Sequence, residues 1–194
     1  MRTMKKLILL ALATLFVMTA AQAQEEETLL SNGQFRLTGF WFSATHQFAY
    51  HQEDFAMLRG GYGGFEFNRQ LLVGWGRFNY RDIVQLPDLQ TEYEMKFNGF
   101  NLGFTPQSYK AIHPRLNFLA GGGRIRLDDG NSDRVFVFQP SAGMELNVFR
   151  WFRLGLEGGY RFVSDNDFPG IDGSDFGAPF AQIDLKFGWS WGDW

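Results

Sequence analysis

Residues 152–162, FRLGLEGGYRF, alternate with a period of two. Phe152, Leu154, Leu156, Gly158, Tyr160 and Phe162 form one set, and Arg153, Gly155, Glu157, Gly159 and Arg161 form the other. Successive side chains of a β-strand point to opposite faces, so this strand has one apolar face and one made of charges and glycines. Such a strand suits lipid on one side and a narrow polar lumen on the other.

The same reading yields eight strands, at about residues 36–48, 55–67, 71–81, 95–104, 115–127, 134–149, 152–162 and 179–189. Phe40, Phe42 and Ala44 share a face of the first. Arg59 lies among Gly60, Gly61, Gly63 and Gly64 in the second. Leu116, Phe118 and Ala120 oppose Asn117 and Gly121 in the fifth, whose alternation slips near Gly123-Arg124 and reads there as a bulge. Phe136, Phe138, Ala142, Met144, Leu146 and Val148 form one face of the sixth. Its Pro140 cannot donate a ladder bond, which predicts a bulge or local irregularity. The connections at Asn68-Arg69 and Arg150-Trp151 are tight, those over 82–94, 128–133 and 164–176 are long and polar, and the one near 108–114 is intermediate. Short turns at one rim and long loops at the other are the habit of outer-membrane barrels.

The N-terminal residues predict export. Arg2, Lys5 and Lys6 precede an apolar run from Leu7 to Val17, and Ala21-Gln22-Ala23 has the small-x-small pattern of a cleavage site. Residues 1–23 therefore read as a signal peptide, 24–34 as an acidic lead-in, and 35–194 as one barrel domain. The run is short for a spanning helix. Removing it leaves 15 basic residues against 21 acidic ones, hence a net charge of −6, a poor balance for a nucleic-acid partner. The chain has no cysteine, so it forms no disulfide. After residue 23 only three lysines remain, beside 12 arginines, 21 phenylalanines and 23 glycines. A soluble β-protein normally covers its outer face and edges with lysine and glutamate.

Alternation alone does not say which face points outward, because a lipocalin-like soluble barrel has the same period with inverted polarity. Three features favour an apolar exterior: glycines interspersed with long charged side chains, the shortage of lysine, and aromatics near strand ends at Trp41, Tyr80, Trp151, Tyr160 and Trp189. On that choice Arg59, Glu145, Arg153, Glu157, Arg161, Asp184 and Lys186 become interior structural charges. Carboxylates and guanidinia enclosed together must be paired, which predicts an internal ion-pair plug.

The segments FEFNRQLLVGWGRF, NVFRWFRLGLEGGYRFV and AQIDLKFGW resemble the eight-stranded outer-membrane β-barrel families of Gram-negative bacteria, of the OmpX and OmpA-barrel type. The resemblance covers about residues 35–194. It implies an all-β fold: a closed, antiparallel, up-and-down transmembrane barrel, monomeric, in the outer membrane. It further implies contact with outer-membrane lipid and lipopolysaccharide, and with the barrel-assembly machinery through an aromatic near the end of the last strand. Phe187, Trp189, Trp191 and Trp194 compete for that last role. Such barrels serve as adhesins, structural anchors and lipid enzymes, so function does not follow from fold. The expected function is non-catalytic, in envelope structure or surface interaction through the loops. The alternatives are a lipid A deacylase or acyltransferase, and a periplasmic lipid-binding barrel.

Candidate chemistry is sparse. Ser43 and His46 are three apart and so fall on opposite faces of a strand, which separates a base from its nucleophile. His51 with Glu53 and Asp54 sits in a loop with no nucleophile beside it, and the three histidines, His113 included, read as solvated loop or rim residues. Asp129-x-Asn131-x-Asp133 and Asp165-x-Asp167 have calcium-like oxygen spacing. Arg134 occupies the required glycine position in the first, and Pro169 and Phe176 spoil the second. The glycines at 60–64 lack the helix and Lys-Ser/Thr of a phosphate cradle. No cofactor is implied.

Overall fold

The computed structural model describes residues 35–51, 54–80, 84–86, 91–164 and 173–191. The expected signal peptide and lead-in, and Trp194, lie outside the described residues. Nine strands are present among the described residues: β1 Leu37–His51, β2 Asp54–Phe67, β3 Leu71–Tyr80, β4 Val84–Leu86, β5 Thr91–Phe104, β6 Ile112–Leu127, β7 Ser132–Phe149, β8 Phe152–Ser164 and β9 Ala178–Ser190. Strands adjacent in sequence pair antiparallel except β3 and β4; β1 pairs β9 and β3 pairs β5, so eight strands close into an up-and-down barrel. The three-residue β4 stands outside the ring, paired to the start of β5 at Tyr93, Glu92 and Thr91. Much of the expected loop over 82–94 is thus strand, and β5 begins at Thr91 rather than near residue 95.

The register fixes the barrel's geometry. From Arg134, directly paired residues run Arg124, Lys96, Asn79, Arg59, His46, Ile183, Leu156 and back to β7 at Met144, ten residues further along. Eight strands with that shear tilt by about 40° and enclose a Cα radius of about 8 Å, room for side chains and little else.

On each strand alternate residues are buried inside. Trp41, Ser43, Thr45, Gln47 and Ala49 point inward on β1, while Phe40, Phe42, Phe48 and Tyr50 point outward. The outward face carries Phe65, Trp75, Phe100, Phe118, Phe138, Leu156, Phe162 and Phe187, all well exposed. A continuous aromatic and aliphatic exterior of this kind belongs against hydrocarbon.

Toward the long-loop rim the polarity of several strands inverts without any change of register. On β6, Leu116 and Phe118 are outward low on the strand. Higher up Arg124 and Arg126 are outward, and Ile125 and Leu127 are buried. The pairing of β6 with β7 is unbroken from Ile112 to Arg126, so no bulge lies at Gly123-Arg124. The apparent slip in the sequence is a change of surroundings, from lipid to water, along one regular strand. The same switch occurs on β5, where Phe100 and Phe104 are outward below and Glu94 and Lys96 above.

The short-turn rim is made by compact chemistry. Asn68 and Arg69 have φ of 50° and 57°, and the Gln70 amide donates to the Phe67 carbonyl at 3.0 Å. Two central residues with positive φ define the mirror-image turn whose twist suits a hairpin. Asn68 also accepts from the Arg36 amide at 2.8 Å, tying the start of β1 to this turn. At Pro140 the β7–β8 ladder opens over Gln139 and Pro140 between Phe138↔Phe162 and Ser141↔Gly159, with the register preserved; the shift itself falls between Asn147 and Phe149.

Candidate functional site: the charged interior of the barrel

The lower interior, toward the short-turn rim, is organised around Glu145 on β7. Its Oε2 accepts from Arg115 Nη1 at 2.7 Å and Lys186 Nζ at 2.6 Å, and its Oε1 lies 3.3 Å from both His113 Nε2 and Arg153 Nη1. These partners come from β6, β9 and β8, so one carboxylate ties four strands. Arg153 also meets Glu66 Oε1 at 3.1 Å and stacks its guanidinium 3.8 Å above the Trp41 ring. Ser190 donates to Glu66 and accepts from Trp41 Nε1 at 3.1 Å.

Above Glu145, Arg115 reaches Glu157 Oε1 with Nε at 2.5 Å and donates from Nη2 to the Tyr62 hydroxyl at 2.7 Å. Glu157 accepts from Ser141 at 2.6 Å. Asp184 is held by hydroxyl and amide donors: Thr45 at 2.5 Å, Gln182 at 3.1 Å and Ser43 at 3.2 Å. Glycine makes space for the long cations: a Cβ on Gly103 would sit 3.3 Å from Arg115 Nη2, tighter than ordinary contact.

Arg161 lies higher still and is handled differently. It donates to Gln139 at 3.2 Å, to the Tyr80 hydroxyl at 2.7 Å and to Gln47, and stacks 5.2 Å over Phe97. Among the described residues it has no carboxylate within ion-pair distance. Gln47 passes the contact on to Gln182 at 2.9 Å, and Gln182 to Asp184. Two side-chain amides thus connect a guanidinium to a carboxylate through aligned dipoles.

Beyond Arg161 the interior turns apolar. Leu58, Phe78, Met95, Phe97, Ile125 and Val137 fill it. Phe176, from the 3-10 turn Gly173–Phe176 in the last long connection, is fully buried and meets Tyr93 edge-to-face at 5.1 Å.

The structure places Glu145, Arg153, Glu157, Arg161, Asp184 and Lys186 inside, none more than 6% exposed. Arg59 is a correction. It pairs His46 and Asn79 on the outward face, because on β2 Leu58, Tyr62 and Glu66 are the buried set. Trp41 and Tyr80, read as interfacial aromatics, are buried at 1% and 8% and serve Arg153 and Arg161 from inside. His113 is corrected too: it is wholly buried, with Nδ1 on the Lys110 carbonyl at 3.0 Å.

Glu66, Arg115 and the glutamines Gln47, Gln139 and Gln182 were not singled out in the sequence. Glu66 between Phe65 and Phe67, and Arg115 opposite Leu116, carried the period-two signal that locates them. Phe187, Trp189 and Trp191 are exposed at the lower end of β9.

Ser43 is inside on Asp184 while His46 is outward. His51 and Asp54 end β1 and start β2 as paired residues; Glu53 lies outside the described residues. In the 128–133 turn Asp129 accepts from the Asn131 backbone at 2.8 Å and side chain at 2.7 Å, and Asp133 accepts from the Arg134 amide at 2.7 Å. Asp165, Asp167 and Pro169 lie outside the described residues. Among the described residues no group of three or more His, Asp or Glu could hold a metal.

No protein-family model and no curated protein matches the chain. Solved structures do. Neisserial surface protein A superposes with a TM-score of 0.55 at 11% identity, covering 81% of this chain and 99% of that one. Ail, the attachment invasion locus protein of Yersinia pestis, superposes with a TM-score of 0.50 at 13% identity, covering 80% of this chain and all of that one. The fold is that of the eight-stranded outer-membrane β-barrels of Gram-negative bacteria.

Proposed function

We propose that the protein is a non-catalytic integral barrel of the outer membrane, closed to solutes by its own side chains, that serves envelope structure or surface interaction through its long-loop rim. One observation carries this reading. A continuous series of contacts runs along the interior from Ser190 and Glu66 through Arg153, Glu145, Arg115, Glu157, Gln182, Gln47 and Arg161 to Tyr80 and Tyr93, where Phe176 packs on top. A barrel with a Cα radius of about 8 Å has no room for a water column beside such a series.

The aromatic exterior supports lipid as the outer solvent and opposes a soluble barrel of inverted polarity. The separation of Ser43 from His46 supports a non-catalytic role. The long-loop rim then faces the medium and the short-turn rim the periplasm. Phe187 and Trp189 become the aromatics presented to the assembly machinery.

Purified protein in a planar bilayer tests the closure: it is expected to show no steady large conductance. Stable, water-filled channels would overturn it. Recovery in the outer-membrane fraction with heat-modifiable gel migration tests the location.

A further inference from the structure

The register row that fixes the shear also gathers cations on the outer surface. Arg134, Arg124, Lys96 and Arg59 are outward members of one directly paired row across β7, β6, β5, β3 and β2, with Asn79 between Lys96 and Arg59. Two residues below, the next outward row runs Arg77, Asn98, Gly122 and Phe136. The five cations are exposed, and among the described residues none is within ion-pair distance of a carboxylate. Arg126, by contrast, faces Glu94 directly across the ladder.

Gly122 leaves a gap in this surface: a Cβ there would touch nothing within 4 Å. Around it lies an open depression of about 460 Å³ bordered by Arg77, Lys96, Asn98, Arg124 and Arg134. Cations thus ring a recess whose floor is a glycine and an amide.

The depth of this recess identifies its occupant. It sits where the strands change polarity, with Trp75, Phe100 and Phe118 outward below it. Headgroups lie at that boundary, and phosphates there satisfy guanidinium and ammonium groups with short charge-assisted bonds. The opposite side of the barrel offers Tyr160 and Phe162 on β8 and Phe48 and Tyr50 on β1 instead of cations. We infer that the recess around Gly122 binds the phosphorylated headgroup of an outer-leaflet lipid carrying more than one phosphate monoester, with its acyl chains along Trp75, Phe100 and Phe118. This rests on the membrane orientation proposed above.

Native mass spectrometry of the folded full barrel, released from nanodiscs doped with bisphosphorylated lipid A, dephosphorylated lipid A or phosphatidylglycerol, tests the site. The bisphosphorylated form is expected to remain bound in preference to both others, and excess inorganic phosphate is expected not to displace it. Each neutralised cation should weaken retention by about fivefold, so Arg77→Gln/Lys96→Gln/Arg124→Gln should lose about a hundredfold. Arg124→Lys should keep most of it. Equal retention of the three lipids, displacement by inorganic phosphate, or an unaffected triple variant would overturn the site. If the triple variant does not fold, the single Lys96→Gln variant takes its place with the fivefold expectation. Heat-modifiable migration of the same samples reports the membrane barrel separately, so an intact barrel without lipid preference sinks this site alone.

Discussion

The two halves of the barrel interior solve the same packing problem by opposite means. The lower half holds Glu66, Glu145, Glu157 and Asp184 against Arg115, Arg153 and Lys186, with hydroxyls and amides filling the gaps. The upper half is packed with Leu58, Phe78, Met95, Phe97, Ile125 and Val137, with Phe78 and Phe97 stacked at 5.3 Å. Arg161 stands at the boundary. Directional pairing below fixes which strand faces which, since each charge is met by particular donors or acceptors on other strands. Apolar packing above excludes water and tolerates less exact geometry. The lower half sits where lipid surrounds the barrel and strand positions cannot be specified by an apolar core, because the outside is equally apolar.

Breaking each half in turn should expose that difference. The largest effect is expected from Glu145→Gln, which leaves Arg115, Lys186 and Arg153 enclosed with a neutral partner. Losing one member of a buried charge cluster should cost about 4 kcal/mol, read from urea unfolding in lipid vesicles. Phe97→Ala in the upper half leaves a cavity beside Arg161 and should cost about 3 kcal/mol in the same measurement. A smaller effect for Glu145→Gln than for Phe97→Ala would mean that the ion pairs decorate a barrel held by packing. Arg59→Gln, on the outward face, should change stability by less than about 0.5 kcal/mol. A loss comparable to the interior variants would return Arg59 to the inside.

The alternation of β8 and β9 was legible because lipid lies on one face and charge on the other along their length. The eight-strand count followed from the same signal. The phase of β2 was not legible, since Arg59 stands among glycines that occupy both faces; the informative residues were Leu58, Tyr62 and Glu66. On β5 and β6 the pattern inverts midway, so Tyr93, Met95 and Ile125 point inward while Lys96 and Arg124 point out. Read as one uniform strand, that inversion imitates a bulge. His113 was obscured by the two prolines nearby, 106 and 114, which suggested a connection where β6 had already begun. The upper apolar core was invisible for the same reason as the inversion: a polar lumen was assumed throughout.

The polarity switch has one more consequence. Above it, β5, β6 and β7 carry a water-facing exterior over an oily centre sealed by Phe176, which is the construction of an ordinary soluble sheet. The molecule is therefore two solvent regimes threaded on the same strands. In the orientation proposed above, these strands carry the turn at 128–131 past the polarity switch, and an insertion there would be displayed beyond the lipid headgroups.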